Sequence, residues 1–317
     1  MFEVKIAGYY KGKTLKRKRL RQSFSMILGK RKHIIIKQFK TILKLTALWG
    51  VTMIINDINF NDLYQQHLKA CNHYNLPPTK WDKKAPKMAE NLVGKPSRYN
   101  EMLLKAMNVQ PNETVLDIGC GPGTFVIPLA QQCQAVYALD YSQGMLDMVQ
   151  QYKEKHQLNN ITLLHKSWSD NWDDVPQADV ILASRSTLVD DLDDMIEKLQ
   201  SKAKKRVFLT SVTQRHFLDE GVFEAIGRDD VGFPTYIYLV NRLYQKGIHA
   251  NVSFIETESG HFQGDTFEDL LNSVEFSLGN LTEKEKQNLA QFYQQKQINN
   301  EPIKHGQRKW ALIWWEV

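Results

Sequence analysis

One segment constrains this chain more than any other: Thr114-Val115-Leu116-Asp117-Ile118-Gly119-Cys120-Gly121-Pro122-Gly123-Thr124. Val115, Leu116 and Ile118 read as a short buried strand that Asp117 helps to end. Gly119, Gly121 and Gly123 then make a tight loop that leads into a helix over 124–132. Glycine is needed where a ligand comes close to the backbone, because a side chain would block the approach. The start of the following helix offers free N–H groups and a partial positive charge. Such a loop receives either a pyrophosphate or the carboxylate end of an amino acid.

The spacing separates these two. A dinucleotide-binding loop reads G-x-G-x-x-G, whereas this one reads G-x-G-x-G with Asp117 two residues before the first glycine. A carboxylate there is awkward beside a pyrophosphate and suits a ligand with an ammonium group. A second apolar run, Val136 to Leu139, closes on Asp140, twenty-one residues after Gly119. An acid at the tip of the second strand is placed to accept both hydroxyls of a ribose. A nucleoside joined to an amino acid satisfies both acids, which points to S-adenosylmethionine.

On these residues the chain resembles the class I S-adenosylmethionine-dependent methyltransferases. The run 116–124 is similar to their first motif almost letter for letter, and 139–145 (Leu139-Asp140-Tyr141-Ser142-Gln143-Gly144-Met145) to their second. The resemblance implies an α/β fold: a Rossmann-like seven-stranded sheet, mostly parallel with an antiparallel last strand, and helices on both faces. It implies Asp140 at the ribose and Tyr141 and Met145 beside the adenosine, with Cys120 inside the loop as a small residue that also serves structure. Strands over 161–165, 179–183 and 206–212 and a helix over 188–203 keep the family's order. Two features depart from it. The acid that often follows the third strand is replaced by Ser167, so Ser167 and Trp168 are expected near the adenine, with Asp170 three residues on. Pro128 falls early in the helix after the loop, which predicts a kink.

The methyl acceptor is less constrained. Strand four ends in Ala183-Ser184-Arg185-Ser186-Thr187. Members of the family that methylate base amines carry a [D/N]-P-P-[Y/F] tetrapeptide at this point, which is missing here. Methylation at pyrimidine carbon 5 needs a cysteine nucleophile near strand four or five, and Cys71, Cys120 and Cys133 are all elsewhere. Ser184, Arg185 and Ser186 sit where the activated methyl should point. Arg185 either binds an anionic acceptor or pairs with Asp190 or Asp191. His216, His249, His261, Tyr236 and Tyr99 are the candidate bases, and none is singled out as catalytic.

Charge divides the chain. Residues 1–50 hold 14 basic side chains and one acid, whereas 51–317 hold 27 basic and 34 acidic, a net −7. The leader, 1–52, reads as a misassigned start before Met53, a disordered tail, or a basic arm for RNA or anionic lipid. Its longest apolar stretch, 45–55, falls short of the roughly 20 residues that span a bilayer. Three cysteines make no disulfide framework and no zinc spacing occurs, which predicts a reducing, cytoplasmic setting and no metal. Helical periodicity over 57–108, with Pro77-Pro78 ending the first helix and Tyr99, Met102, Leu103, Ala106 and Met107 spaced as the apolar face of a third, predicts a helical N-terminal extension (53–110) ahead of a methyltransferase domain (111–317). That domain carries insertions near 213–234 and 258–307, the second with helices over 266–278 and 282–297, where Thr282 and Glu285 make a capping box. A helix over 235–246 and strands over 249–256 and 308–317 complete it. The insertions and the front end are expected to enclose a small-molecule acceptor. An acidic rim and a negative body argue against a nucleic-acid acceptor. An RNA or protein acceptor, and a cofactor-binding module without catalysis, are the rival readings.

Overall fold

The computed structural model describes residues 54–71, 77–216, 218, 220–228, 231–256, 266–303 and 309–317. The expectations for the basic leader and for His261 lie outside these residues. Ahead of Asn59 the described residues form one short 3-10 turn, Ile55–Asp57, with Ile54 N donating to the Asp57 carboxylate at 2.9 Å.

From Asn59 onward three helices come first: α1 (Phe60–Ala70), α2 (Pro78–Leu92) and α3 (Arg98–Met107). Then follow β1 (Thr114–Ile118), α4 (Val126–Ala130), β2 (Ala135–Asp140), α5 (Gln143–Lys155), β3 (Ile161–His165), β4 (Ala178–Ser184), α6 (Leu192–Lys202) and β5 (Ala203–Val212). The chain closes with α7 (Glu220–Ile226), α8 (Tyr236–Gln245), β6 (Asn251–Glu256), α9 (Phe267–Leu278), α10 (Glu283–Ile298) and β7 (Lys309–Glu316). The strands form one seven-stranded sheet in the order β3-β2-β1-β4-β5-β7-β6, in which only β7 runs against the others. This is the Rossmann-like α/β architecture expected from the sequence.

Period-two alternation sends the strand side chains into two cores. Val115, Val136, Ala138, Val180, Leu182 and Phe208 face one side, where α3, α4 and α5 cover them. Leu116, Leu139, Ile181, Ala183, Val207 and Leu209 face the other, against α1, α6 and α8. The front-end helices are built into these cores rather than appended to them. Leu103 and Met107 of α3 are fully buried with the first set. Tyr64 of α1 donates its hydroxyl to Val189 O at 2.8 Å on the second side. A third apolar cluster joins the two insertions: Val222 and Ile226 of α7 pack with Leu270, Val274 and Leu278 of α9 and Leu289 of α10. Arg228 clamps Glu285 across it, Nε to Oε1 at 2.6 Å and Nη2 to Oε2 at 3.0 Å. Among the described residues no helix is long and apolar enough to cross a membrane.

Three boundaries differ from expectation. The helix after the glycine loop is α4, five residues long, because residues 121–125 are spent in turns. Pro128 is its third residue, where no intrahelical N–H bond is required, so it causes no kink there. Pro77 and Pro78 do not end the first helix. α1 stops at Ala70, and Pro78 opens α2, where its fixed φ fits the first helical position. The helix expected from 188 starts at Leu192, because the Asp191 carboxylate accepts from Asp193 N and Asp194 N and caps it.

Candidate active site

The loop after β1 is pinned to its neighbour by backbone bonds. Gly119 N and Cys120 N both donate to Leu139 O, at 2.7 and 3.0 Å. The glycines serve different ends. Gly119 (φ +68°) has no space for a side chain, since a Cβ would lie 2.5 Å from Ser186 Cβ. Gly121 (φ +55°) has open space where a Cβ would go, so there the conformation itself selects glycine and leaves the backbone bare. Cys120 between them is buried, its thiol pushed upward by burial and by the charges of Asp140 and Asp117.

Asp117 and Asp140 sit at the ends of adjacent strands. Asp117 is 1% exposed, and neither carboxylate oxygen has a hydrogen-bond partner. Burial, with the Asp140 charge adding to it, pushes the Asp117 carboxyl up to about 8. Asp140 is better served: Oδ2 accepts from Gly121 N at 2.8 Å and Oδ1 from Ser142 N at 2.9 Å. Burial nonetheless raises its pKa. Each Asp140 oxygen keeps acceptor capacity for a further donor. An orphaned, buried carboxyl is costly unless something supplies it with hydrogen bonds or a positive charge. The bare backbone at Gly121 opens beside this pair, so these residues fit the ammonium and ribose ends of an amino-acid nucleoside.

Around β2 and α5 the sequence missed one residue, Asp82. Its Oδ1 accepts from Ser142 Oγ at 2.6 Å and from Gly144 N at 2.9 Å, bonds that hold this carboxyl below its usual range. Gly144 is a close approach as well: a Cβ would lie 2.8 Å from Asp82 Cα. α2 is thereby docked on the first turn of α5, beside Tyr141 and Met145. Burial and then the Asp140 charge push the Tyr141 phenol up to about 12, against a hydrogen bond with Trp81. Met145 is buried, and its N–H donates to Ser142 Oγ. A lone aspartate on a polar helix face gives no sequence signal for this role.

Tyr141, Ser167, Lys166, His165 and Asp170 line a cleft of about 560 Å³, closed on one side by Pro77 and Pro78. Trp168 turns away from it: its indole N–H donates to Ser186 O at 2.8 Å and its ring stacks on Trp172 at 5.0 Å. Asp170 accepts from Ser167 N and so shapes the turn after β3.

The segment after β4 lies directly against the glycine loop, with Ser186 Oγ donating to Ile118 O at 2.6 Å. Ser184 Oγ and Thr210 Oγ1 both hydrogen-bond the buried Tyr99 hydroxyl, at 2.8 and 2.7 Å. Arg185 does not pair with Asp190 or Asp191. Asp191 is taken up by its helix cap and by Asn61 and Gln65, while the Arg185 guanidinium stacks on Tyr99. Of the candidate bases, Tyr99 alone lies against Ser184 among the described residues. His216 stacks on Phe223, Tyr236 packs on Phe254, and His249 packs on Tyr244 just before β6, at the opposite edge of the sheet. No group of three or more potential metal ligands occurs among the described residues.

The family model described as "Methyltransferase domain" matches residues 115–206, from β1 into β5. An uncharacterized protein from Haemophilus influenzae is 78% identical over 265 residues, which cover 84% of this chain and 99% of that one. The demethylmenaquinone methyltransferase of Oceanobacillus iheyensis is 43% identical over 65 residues, 20% of this chain and 27% of that enzyme. The crystal structure of a SAM-dependent methyltransferase from Aquifex aeolicus is similar with a TM-score of 0.41 and 19% identity, over 58% of this chain and 94% of that one. The matched region is that of a methyl-transferring enzyme. The chain belongs to the class I S-adenosylmethionine-dependent methyltransferases, and S-adenosylmethionine is its cofactor.

Proposed function

We propose that the cofactor is held by Asp117, the loop from Gly119 to Gly123, and Asp140, and that the enzyme methylates a small molecule. The observation that carries the first part is the unpartnered, buried Asp117 carboxyl beside a bare glycine backbone. In this reading Asp117 receives the ammonium group and Asp140 the ribose hydroxyls. Gly119, Cys120, Gly121 and Gly123 let the backbone approach the ligand, and Tyr141, Met145 and Ser167 wall the adenosine. Trp168 supports the wall through Ser186 and Trp172 without reaching the ligand. Ser184, held by Tyr99, borders the point of transfer. When bound, the cofactor supplies a methyl group already activated on a sulfonium. The protein's part is then to align the acceptor and exclude water.

Two features support a small acceptor. The body carries −7, a poor match to a phosphate backbone. Both insertions leave the sheet at its carboxyl edge, after β5 and β6, the edge that also carries Asp117, Asp140 and Ser184. Calorimetry tests the first part. Asp140→Ala should weaken cofactor binding at least tenfold, since charge-assisted bonds contribute roughly 1.5–3 kcal/mol each. Asp170→Ala should change it less than twofold. Binding of NADH with no response to the methyl donor would refute the site. A labelled-methyl assay tests the second part. Label should pass from the donor into the low-molecular-weight fraction of a cell extract, and label in purified RNA or protein instead would overturn the small acceptor.

A further inference from the structure

We infer that Arg185 forms an anion-binding subsite for the acceptor, so that the molecule methylated carries a carboxylate or phosphate group. This rests on the reading that the glycine loop holds the cofactor, because Arg185 is tied to that loop through its neighbour Ser186. Ser186, the next residue, blocks any side chain at Gly119 and bonds the end of β1. Arg185 itself sits at φ +59°, a left-handed conformation that non-glycine residues rarely hold. Its backbone N–H donates to Thr210 Oγ1 at 2.9 Å, which fixes the turn. Strain of this kind persists where the surroundings impose it, and it concentrates at ligand sites.

The side chain is equally fixed. Its guanidinium lies 3.7 Å from the centre of the Tyr99 ring and 5.1 Å from that of Trp310. Tyr99 cannot swing away, since its hydroxyl is held by Ser184 and Thr210. Stacking engages the face of a guanidinium and leaves the N–H donors on its edge free. Arg206, Arg228 and Arg242 each pair with a carboxylate, but Arg185 has no ion pair among the described residues and is exposed. A rigid fork of donors with no partner, beside the cofactor loop and outside a negatively charged body, matches a planar carboxylate or a phosphate in two-point contact.

The test uses the full chain with saturating S-adenosylhomocysteine, titrated calorimetrically with benzoate, phenyl phosphate and, as the neutral counterpart, benzamide. At least one anion should bind the wild type tenfold or more tighter than benzamide does. Arg185→Gln should remove that preference, and Arg185→Lys, which keeps the charge but not the fork, should restore only part of it. S-Adenosylhomocysteine affinity should shift less than twofold in both variants. Preference for benzoate over phenyl phosphate, or the reverse, tells carboxylate from phosphate. Equal binding of all three probes, or an anion preference that survives Arg185→Gln, overturns the subsite. Repeating the anion titrations without S-adenosylhomocysteine separates the two readings. Failure of the wild type to bind S-adenosylhomocysteine refutes the cofactor site, whereas Arg185-dependent anion binding is read from the probes alone.

Discussion

If Asp117 meets the cofactor's ammonium group, cofactor affinity must depend on pH in a calculable way. In the free protein this carboxyl titrates at about 8, because burial and the neighbouring Asp140 disfavour its charge. Only the ionised form offers an ammonium group a counter-charge. About one free molecule in 100 is ionised at about pH 6, and about one in four at about pH 7.5. Apparent affinity scales with that competent fraction, so Kd should fall roughly 25-fold across the interval. Binding should release close to one proton at the lower end, read from calorimetric heats in buffers of different ionisation enthalpy. Asp117→Asn should bind weakly and lose the slope. A flat profile in the wild type, or an unchanged slope in Asp117→Asn, would refute the pairing. The same carboxyl sets a stability trend. In the unfolded chain it loses its proton near the ordinary carboxylate value, in the folded chain only near 8, so rising pH favours unfolding across that window. The melting temperature of ligand-free Asp117→Asn should therefore gain on wild type steadily from about pH 5 to about pH 8.

Two further outcomes are expected. Gly119→Ala combines a left-handed backbone with a clash at Ser186 and should cost about 2–5 kcal/mol in urea unfolding, against about 1–2 kcal/mol for Gly121→Ala. Equal losses would show that the Ser186 contact yields. Glu285, held at about 2 chiefly by Arg228, should stabilise the insertion cluster above pH 4.5 and lose that effect as pH falls through 2. Glu285→Gln should therefore destabilise the protein near neutral pH by about 1.5–3 kcal/mol, with the gap narrowing in acid, as followed by thermal melts.

What the sequence made legible was local. The β1 loop, the acid closing β2 and the strand order are written in contiguous runs, each with its own period or spacing, and the sheet follows from them. The Thr282–Glu285 capping box was readable for the same reason. Missing were the contacts between residues far apart in the chain. Asp82 serves Ser142 and Gly144 from 60 and 62 positions away, and nothing in its neighbours marks it. Tyr99 read as one apolar position of an amphipathic helix, yet its hydroxyl organises the ends of β4 and β5. Arg185 left two choices open, because stacking on aromatic rings from 86 residues upstream and 125 downstream carries no pattern. Ser167 and Trp168, adjacent in one turn, have different surroundings that their proximity does not show: Ser167 lines the cleft, whereas the Trp168 indole bonds Ser186 O and stacks on Trp172.

The way α1 and α2 are anchored also bears on how the chain is made. Synthesis runs from the N terminus, so these helices leave the ribosome before anything they pack against exists. At about 5–20 residues per second, Asp82 waits roughly 3–12 s for Ser142. Tyr64, whose partner Val189 is 125 residues further on, waits roughly 6–25 s. Helices of 11 and 15 residues are marginal in water on their own, so for that interval they sample unfolded forms with Leu68, Ala85 and Ala89 unprotected. Both helices are thus made well before they can be seated, and the nascent chain carries their apolar residues exposed until the segment that follows β4 has emerged.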